Sequence, residues 1–153
     1  ALIAAGTLLA ALIPPAEAAT YKKGSSGAVV SQIQTKLKNW GYYAGDIDGI
    51  YGSATERGSE QRRSLVAAMR EARVVANAEG VAIAESDLSQ MVELIETLDP
   101  AGMPSMAQDR IARRKTEVEE FSGTICRLAA EHGIEVPQNE WLYQRIREIE
   151  AGW

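Results

Sequence analysis

Apolar residues recur along most of this chain at three- and four-residue steps, the spacing of one helix face, and no alternating strand pattern follows residue 55. Val30, Ile33, Leu37 and Trp40 make the first such face, entered through the turn-rich Lys22-Lys23-Gly24-Ser25-Ser26-Gly27 and stopped at Gly41. Gly45, Gly49 and Gly52 suit positive backbone dihedrals, so residues 42–55 are expected to form a compact loop. Leu65, Met69, Ala72 and Val75 or Ala76 then predict a helix from Ser59 or Glu60 to about Glu79, with Gly80 past its end. After Val81-Ala82-Ile83-Ala84, Ser86 is the expected cap of a helix carrying Leu88, Met91, Val92, Ile95 and Leu98, which Asp99-Pro100 stops.

Residues 104–133 read as helical throughout. Ser105, between Pro104 and Met106, is placed to cap a short helix to about Ala112. Thr116 followed by Glu119 predicts a capping box, and Val118, Phe121, Ile125, Leu128 and Ala129 form one stripe behind it. Gly133 ends that helix. Ile134 and Val136 fall in a link that Pro137 keeps extended, and Asn139 is expected to cap a last helix with Leu142, Tyr143, Ile146 and Ile149 inward. The predicted fold class is all-α, a four- or five-helix bundle preceded by a small helix-loop module.

The 153 residues suffice for one domain or two small ones, and the net charge of −5 changes the picture only by exclusion. Arg62, Arg63, Arg110, Arg113, Arg114 and Lys115 are offset by nearby acids, so no nucleic-acid groove is expected. Cys126, the one cysteine, sits between Ile125 and Leu128 and reads as a small buried apolar residue. His132 precedes a helix-terminal glycine, which favours interaction with the helix dipole; a single histidine and a single cysteine make no metal cluster. Asp46 and Asp48 fall short of a calcium loop and read as turn residues; Tyr42, Tyr43 and Tyr51 suit either sugar stacking or a small core. Of Glu117, Glu119 and Glu120, the last two are expected on a solvated face.

Residues 1–13 are almost wholly apolar and precede Pro14-Pro15 and Ala16-Glu17-Ala18, the pattern of a secretory signal with an A-x-A cleavage site. The run is too short for a spanning helix, which needs roughly 20 apolar residues.

Two stretches carry family resemblances. Leu37-x-x-x-Gly41-Tyr42-Tyr43 and Asp48-Gly49-x-Tyr51-Gly52-x-x-Thr55 resemble the first two-thirds of a peptidoglycan-binding module of the spore cortex-lytic type. Where that family closes its core with apolar residues, this chain has Gly58-Ser59 and Arg62-Arg63. An unpaired guanidinium there would cost several kcal/mol, so the module is expected to borrow a third wall or stay loose. The second resemblance rests on Pro104-Ser105-Met106-x-Gln108-Asp109, Arg114-x-Thr116-Glu117, Gly123, and His132-Gly133-Ile134-x-Val136-Pro137-x-Asn139-x-x-Leu142-Tyr143. Over residues 59–150 these resemble the C-terminal domain of ketopantoate reductase (2-dehydropantoate 2-reductase).

That resemblance implies a substrate-binding role for Ser105, a catalytic supporting role for Glu117, ketopantoate and pantoate as ligands, and NADP as the family's cofactor. A hydroxyl and unpaired amides at a helix N-terminus suit a 2-keto acid. The chain contains no Gly-x-Gly-x-x-Gly turn, and the family's general-acid lysine falls upstream of the matched stretch. The expectation is therefore a substrate and dimer half of the NADP enzyme of pantothenate synthesis, inactive alone and binding no cofactor by itself. An apolar face left open on half an enzyme favours a homodimer. The expected division is a signal-like segment at 1–18, a truncated wall-binding module at 19–57 with residues 21–55 as its peptidoglycan-binding part, and a reductase-like domain at 58–153. The rival expectations are an exported, non-enzymatic peptidoglycan-binding protein and a chimera without selected function. The leader points to export and the reductase resemblance to the cytoplasm.

Overall fold

The computed structural model describes residues 20–99 and 102–153. The leader expected at 1–18 lies outside them. Helices α1 (Ala28–Asn39), α2 (Ser53–Ala78), α3 (Glu85–Glu96), α4 (Ser105–Ala112), α5 (Thr124–His132) and α6 (Pro137–Ala151) follow one another, with a π-helical turn at Glu119–Gly123 leading into α5. Among the described residues, strand pairing amounts to a single antiparallel bridge between Ser26 and Ile50. The all-α expectation holds.

The long α2 is the axis, with α1 and α3 packed along part of it and α5 and α6 along the rest. Val75 of α2 is fully buried and meets Ala129 and Val136, with Ile125, Cys126, Leu128 and Ile134 around them. The predicted start of this helix is corrected: it begins at Ser53, six residues before Ser59, so one continuous helix runs from the loop module into the bundle. The Arg62 expectation is corrected as well. Its guanidinium lies over Trp40, 4.8 Å from the ring centroid, and donates from Nε to Glu96 of α3 at 2.7 Å. A paired, stacked arginine closes the wall that an apolar residue was expected to supply. Gly58 makes the close approach possible, since a Cβ there would stand 2.4 Å from the Tyr42 carbonyl oxygen.

Gln34 organises the module from its centre. It is completely buried. Its Nε2 lies 2.7 Å from Asp48 Oδ1, 3.0 Å from the Ile50 carbonyl and 3.2 Å from the hydroxyls of Tyr43 and Thr55. Its Oε1 accepts the Gly49 amide at 2.9 Å. Tyr43 and Tyr51 are buried beside it, which settles both as core. Of the three loop glycines expected at positive φ, Gly49 adopts it, at 71°.

Two caps differ from expectation, the first for a local reason and the second because a tertiary partner competes. Ala84, not Ser86, caps α3, and the Asp87 carboxylate accepts the Ala84 amide at 2.8 Å. Asn139 is not the cap of α6, which starts at Pro137. Glu71 of α2 accepts the Gln138 and Asn139 amides, each at 2.8 Å, and also the Asn139 side chain. Phe121 leaves the predicted stripe and is 59% exposed, while Val118 and Ala129 stay buried. The π turn, closed by Gly123 N–H to the Val118 carbonyl at 2.9 Å, inserts one residue and so rotates the face by roughly 100°.

Candidate functional site

Ser105 and Glu117 are twelve positions apart in the chain and meet in space, the Ser105 hydroxyl donating to Glu117 Oε2 at 3.1 Å. Ser105 is the first residue of α4, so its side chain is turned to Glu117 and does not cap the helix; Pro104 occupies the cap position. As first-turn residues, Ser105 and Met106 carry amides without an intrahelical acceptor. Both side chains of the pair are exposed. The helix that carries Ser105 buries none of its residues, and Met103 and Ile111 beside it are 52% and 70% exposed.

Between α4 and the π turn the backbone leaves helical geometry. Arg113 stands in the left-handed region at φ 51°. Arg114 folds back on Asp109, with Nη2 at 2.6 Å. The expected capping box is half replaced here. Thr116 Oγ1 accepts the Val118 amide at 3.3 Å, but Glu119 does not return to Thr116. That task falls to Glu150 of α6, whose Oε1 accepts the Thr116 amide at 2.8 Å and its hydroxyl at 2.7 Å. Glu119 is bound elsewhere, accepting the Tyr143 hydroxyl at 2.8 Å and Arg147 at 2.6 Å, and with its side chain 55% exposed it stays on the expected solvated face as a paired group.

The charge states follow from these contacts. Donation from the Thr116 side chain, then from its amide, holds the Glu150 carboxyl below its usual range. The Tyr143 hydroxyl, followed by Glu119, pushes Arg147 up. Burial, with Glu140 and Glu71 nearby, raises the Cys126 thiol, which keeps it protonated and unreactive at neutral pH. His132 Nε2 approaches Glu79 Oε1 at 2.5 Å, tying the end of α5 to the end of α2 in addition to any dipole contact. Among the described residues no group of three or more His, Cys, Asp or Glu is placed to hold a metal ion, and no helix is long and apolar enough to cross a membrane.

The pair presents an acceptor carboxylate and a hydroxyl side by side on an exposed surface. It can bind a ligand that offers a hydroxyl or carbonyl, and it cannot close a pocket by itself. An open groove of about 880 Å³ lies elsewhere, between α2 and α6, bordered by Arg63, Leu65, Ala68, Trp141 and Leu142. Sequence patterns did not point to Glu150, Tyr143 or Arg147 as neighbours of this turn; all three lie on α6, whose own periodicity marks only its inner face.

The sequence profile described as ketopantoate reductase PanE/ApbA C terminal matches residues 48–150, and that of a peptidoglycan binding domain matches residues 26–58. A 2-dehydropantoate 2-reductase of Vibrio cholerae is 33% identical over 89 residues, which are 58% of this chain and 30% of that protein. A second, from Caulobacter vibrioides, is 36% identical over 89 residues with the same coverage. The chain thus spans 30% of the length of these curated relatives. Among solved structures, a dimeric ketopantoate reductase from Staphylococcus aureus gives a TM-score of 0.60 at 19% identity, covering 81% of this chain and 43% of that one. At that identity the likeness concerns fold alone. A PanE/ApbA family ketopantoate reductase from Ralstonia eutropha JMP134 gives 0.55 at 26% identity, covering 82% and 41%.

Proposed function

The chain belongs to the ketopantoate reductase C-terminal family, and we propose that it is the substrate-binding and dimerisation half of an NADP-dependent 2-dehydropantoate 2-reductase, the enzyme that converts ketopantoate to pantoate in pantothenate biosynthesis. The observation that carries this reading is the Ser105–Glu117 hydrogen bond at 3.1 Å, which joins two positions that resemble the family's site residues. In it, the Ser105 hydroxyl and the α4 amides hold the ligand's carboxylate or carbonyl, and Glu117 accepts the hydroxyl that reduction creates.

The turn gives a dinucleotide no cradle: Glu119 and Glu150 are already bound to Arg147 and Thr116, and the Ser105–Glu117 pair lies on an exposed surface. In this reading NADP is held by a nucleotide-binding half outside the matched residues 48–150, and residues 58–153 give no turnover without it. Residues 58–153 form the reductase-like unit in this reading, and residues 19–57 the wall-binding-like one, with α2 passing through the boundary between them. The exposed Met103 and Ile111 supply apolar surface for a homodimer.

The test is NADPH oxidation with ketopantoate. The chain by itself should give none. Mixed with the separately produced nucleotide-binding half of a family reductase, it should restore turnover that Glu117→Ala removes by a hundredfold or so. Turnover by the chain alone, or restored turnover indifferent to Glu117, rejects the proposal.

A second reading is favoured by the match at residues 26–58 and by the satisfied hydrogen bonds around Gln34. Here the module attaches the protein to peptidoglycan. Sedimentation with purified peptidoglycan decides it: retention of the chain, lost on Gln34→Ala, supports attachment, and equal recovery in the supernatant with and without the wall material rejects it.

A further inference from the structure

We propose that Glu150 is the positioning residue of the Ser105–Glu117 pair, holding from the far end of α6 the turn on which Glu117 stands; the inference rests on the proposed role of that pair. Glu117 lies in no helix. Its segment begins at Arg113, with φ 51°, and ends at Val118, which is 1% exposed. Between those points the backbone has one tertiary anchor in reach of Glu117, the two hydrogen bonds from Thr116 to Glu150 Oε1 at 2.8 and 2.7 Å. Both go to a carboxylate, the stronger kind of hydrogen bond.

The anchor is itself fixed. Glu71 on the central helix holds the N-terminus of α6 through the Gln138 and Asn139 amides. One turn before Glu150, Arg147 pairs with Glu119 at 2.6 Å, on the far side of the same turn. The last two turns of α6 therefore grip residues 116–119 at two points, and Glu117 is the member of that segment left facing Ser105. With α4 burying none of its residues, the distance between the two side chains depends on the turn and not on packing of α4. Lys115 and Arg147 are the charged groups facing Glu150, and both favour its ionised form.

The experiment uses the full chain and isotope-edited NMR. Glu150→Ala should speed exchange of the Thr116 amide about tenfold or more. It should also erase the nuclear Overhauser contacts between the Ser105 and Glu117 side chains, while Val75 and Ala129 resonances stay in place. Glu150→Gln retains an acceptor oxygen and should restore the contacts. Thr116→Val, which deletes only the hydroxyl donor, should weaken them and covers the case in which Glu150→Ala fails to fold. Contacts that persist unchanged in Glu150→Ala, or that vanish equally in Glu150→Gln, overturn the proposal. Adding pantoate to the same samples separates the two claims. Loss of the contacts in Glu150→Ala together with no pantoate-induced shifts at Ser105 or Glu117 leaves the positioning standing and rejects the substrate role.

Discussion

Arg62 lies over Trp40, its guanidinium carbon 4.8 Å from the ring centroid, and this side chain adds a tie between α1 and α3 to the backbone continuity of α2. The same guanidinium pairs with Glu96 of α3 at 2.6 Å, and Glu96 is only 14% exposed. Arg62→Ala removes the stack and leaves a nearly buried carboxylate without its cation. The expected loss is about 1 to 3 kcal/mol. It should fall on the module, so that Trp40 fluorescence, isolated by Trp141→Phe and Trp153→Phe, reports unfolding at lower urea than helix circular dichroism does. Coincident transitions in the variant would refute the coupling.

Gln34 supplies the module's polar centre, and its replacement should loosen the module selectively. Gln34→Leu conserves volume but strands the buried Gly49 amide and takes a donor from the Ile50 carbonyl and the exposed Asp48 carboxylate. With roughly 1 to 3 kcal/mol for a buried group left unsatisfied, a loss of about 2 kcal/mol is expected from the Gly49 amide. Chemical shifts of Tyr43 and Tyr51 should collapse toward unfolded values while those of Val75 and Val136 stay. A module that keeps its tyrosine shifts in Gln34→Leu would show that shape alone organises it.

Acid should loosen the same module. The Gln34 side-chain amide, and after it the Ile50 amide, hold the Asp48 carboxyl below its usual value. A carboxylate depressed on folding stabilises the folded state above its unfolded pKa, and the contribution disappears as pH falls through the lower folded value. The window is therefore about pH 4 and below. Asp48→Asn keeps an acceptor oxygen but cannot titrate, so its urea midpoint should decline less between about pH 5 and pH 2 than the wild type does. Parallel declines would remove Asp48 as the source.

What was legible in the sequence was whatever depends on residues close together in it. Helical periodicity placed Val30, Leu37, Val75 and Ala129 inward, and all four are buried. Gly133 ends α5 at φ 65° as a left-handed terminator should. Ser105 and Glu117 came from motif likeness, and their contact in space was not visible in spacing alone. Three of the errors share one cause, a partner far along the chain that outcompetes the local one. Glu150 takes the capping role from Glu119 across 34 positions, and Glu71 takes it from Asn139 across 68. Arg62 looked unburiable because Glu96 lies 34 positions away. Phe121 was misplaced for a different reason. A π turn has no sequence signature as plain as a cap, and one added residue is enough to turn a predicted core side chain outward.

Gly123 tests whether that π turn is built around the Tyr143–Glu119 bond. Its backbone is helical, at φ −60° and ψ −45°, where alanine normally gains about 1 kcal/mol over glycine. A Cβ would come within 3.1 Å of both Glu119 Oε2 and Tyr143 Cε2, two groups that now share a 2.8 Å hydrogen bond. Those side chains must part to admit it, and one hydrogen bond is worth about 1 kcal/mol. The two effects nearly cancel, so Gly123→Ala should change stability little while breaking the bond. Tyr143→Phe supplies the decisive comparison. It should cost about 1 kcal/mol in the wild type and close to nothing in the Gly123→Ala background, a coupling readable from a double-mutant cycle in urea. Equal costs in the two backgrounds would mean that the turn accommodates the methyl without disturbing Tyr143, and that Arg147, at 2.6 Å from Glu119, is what holds it.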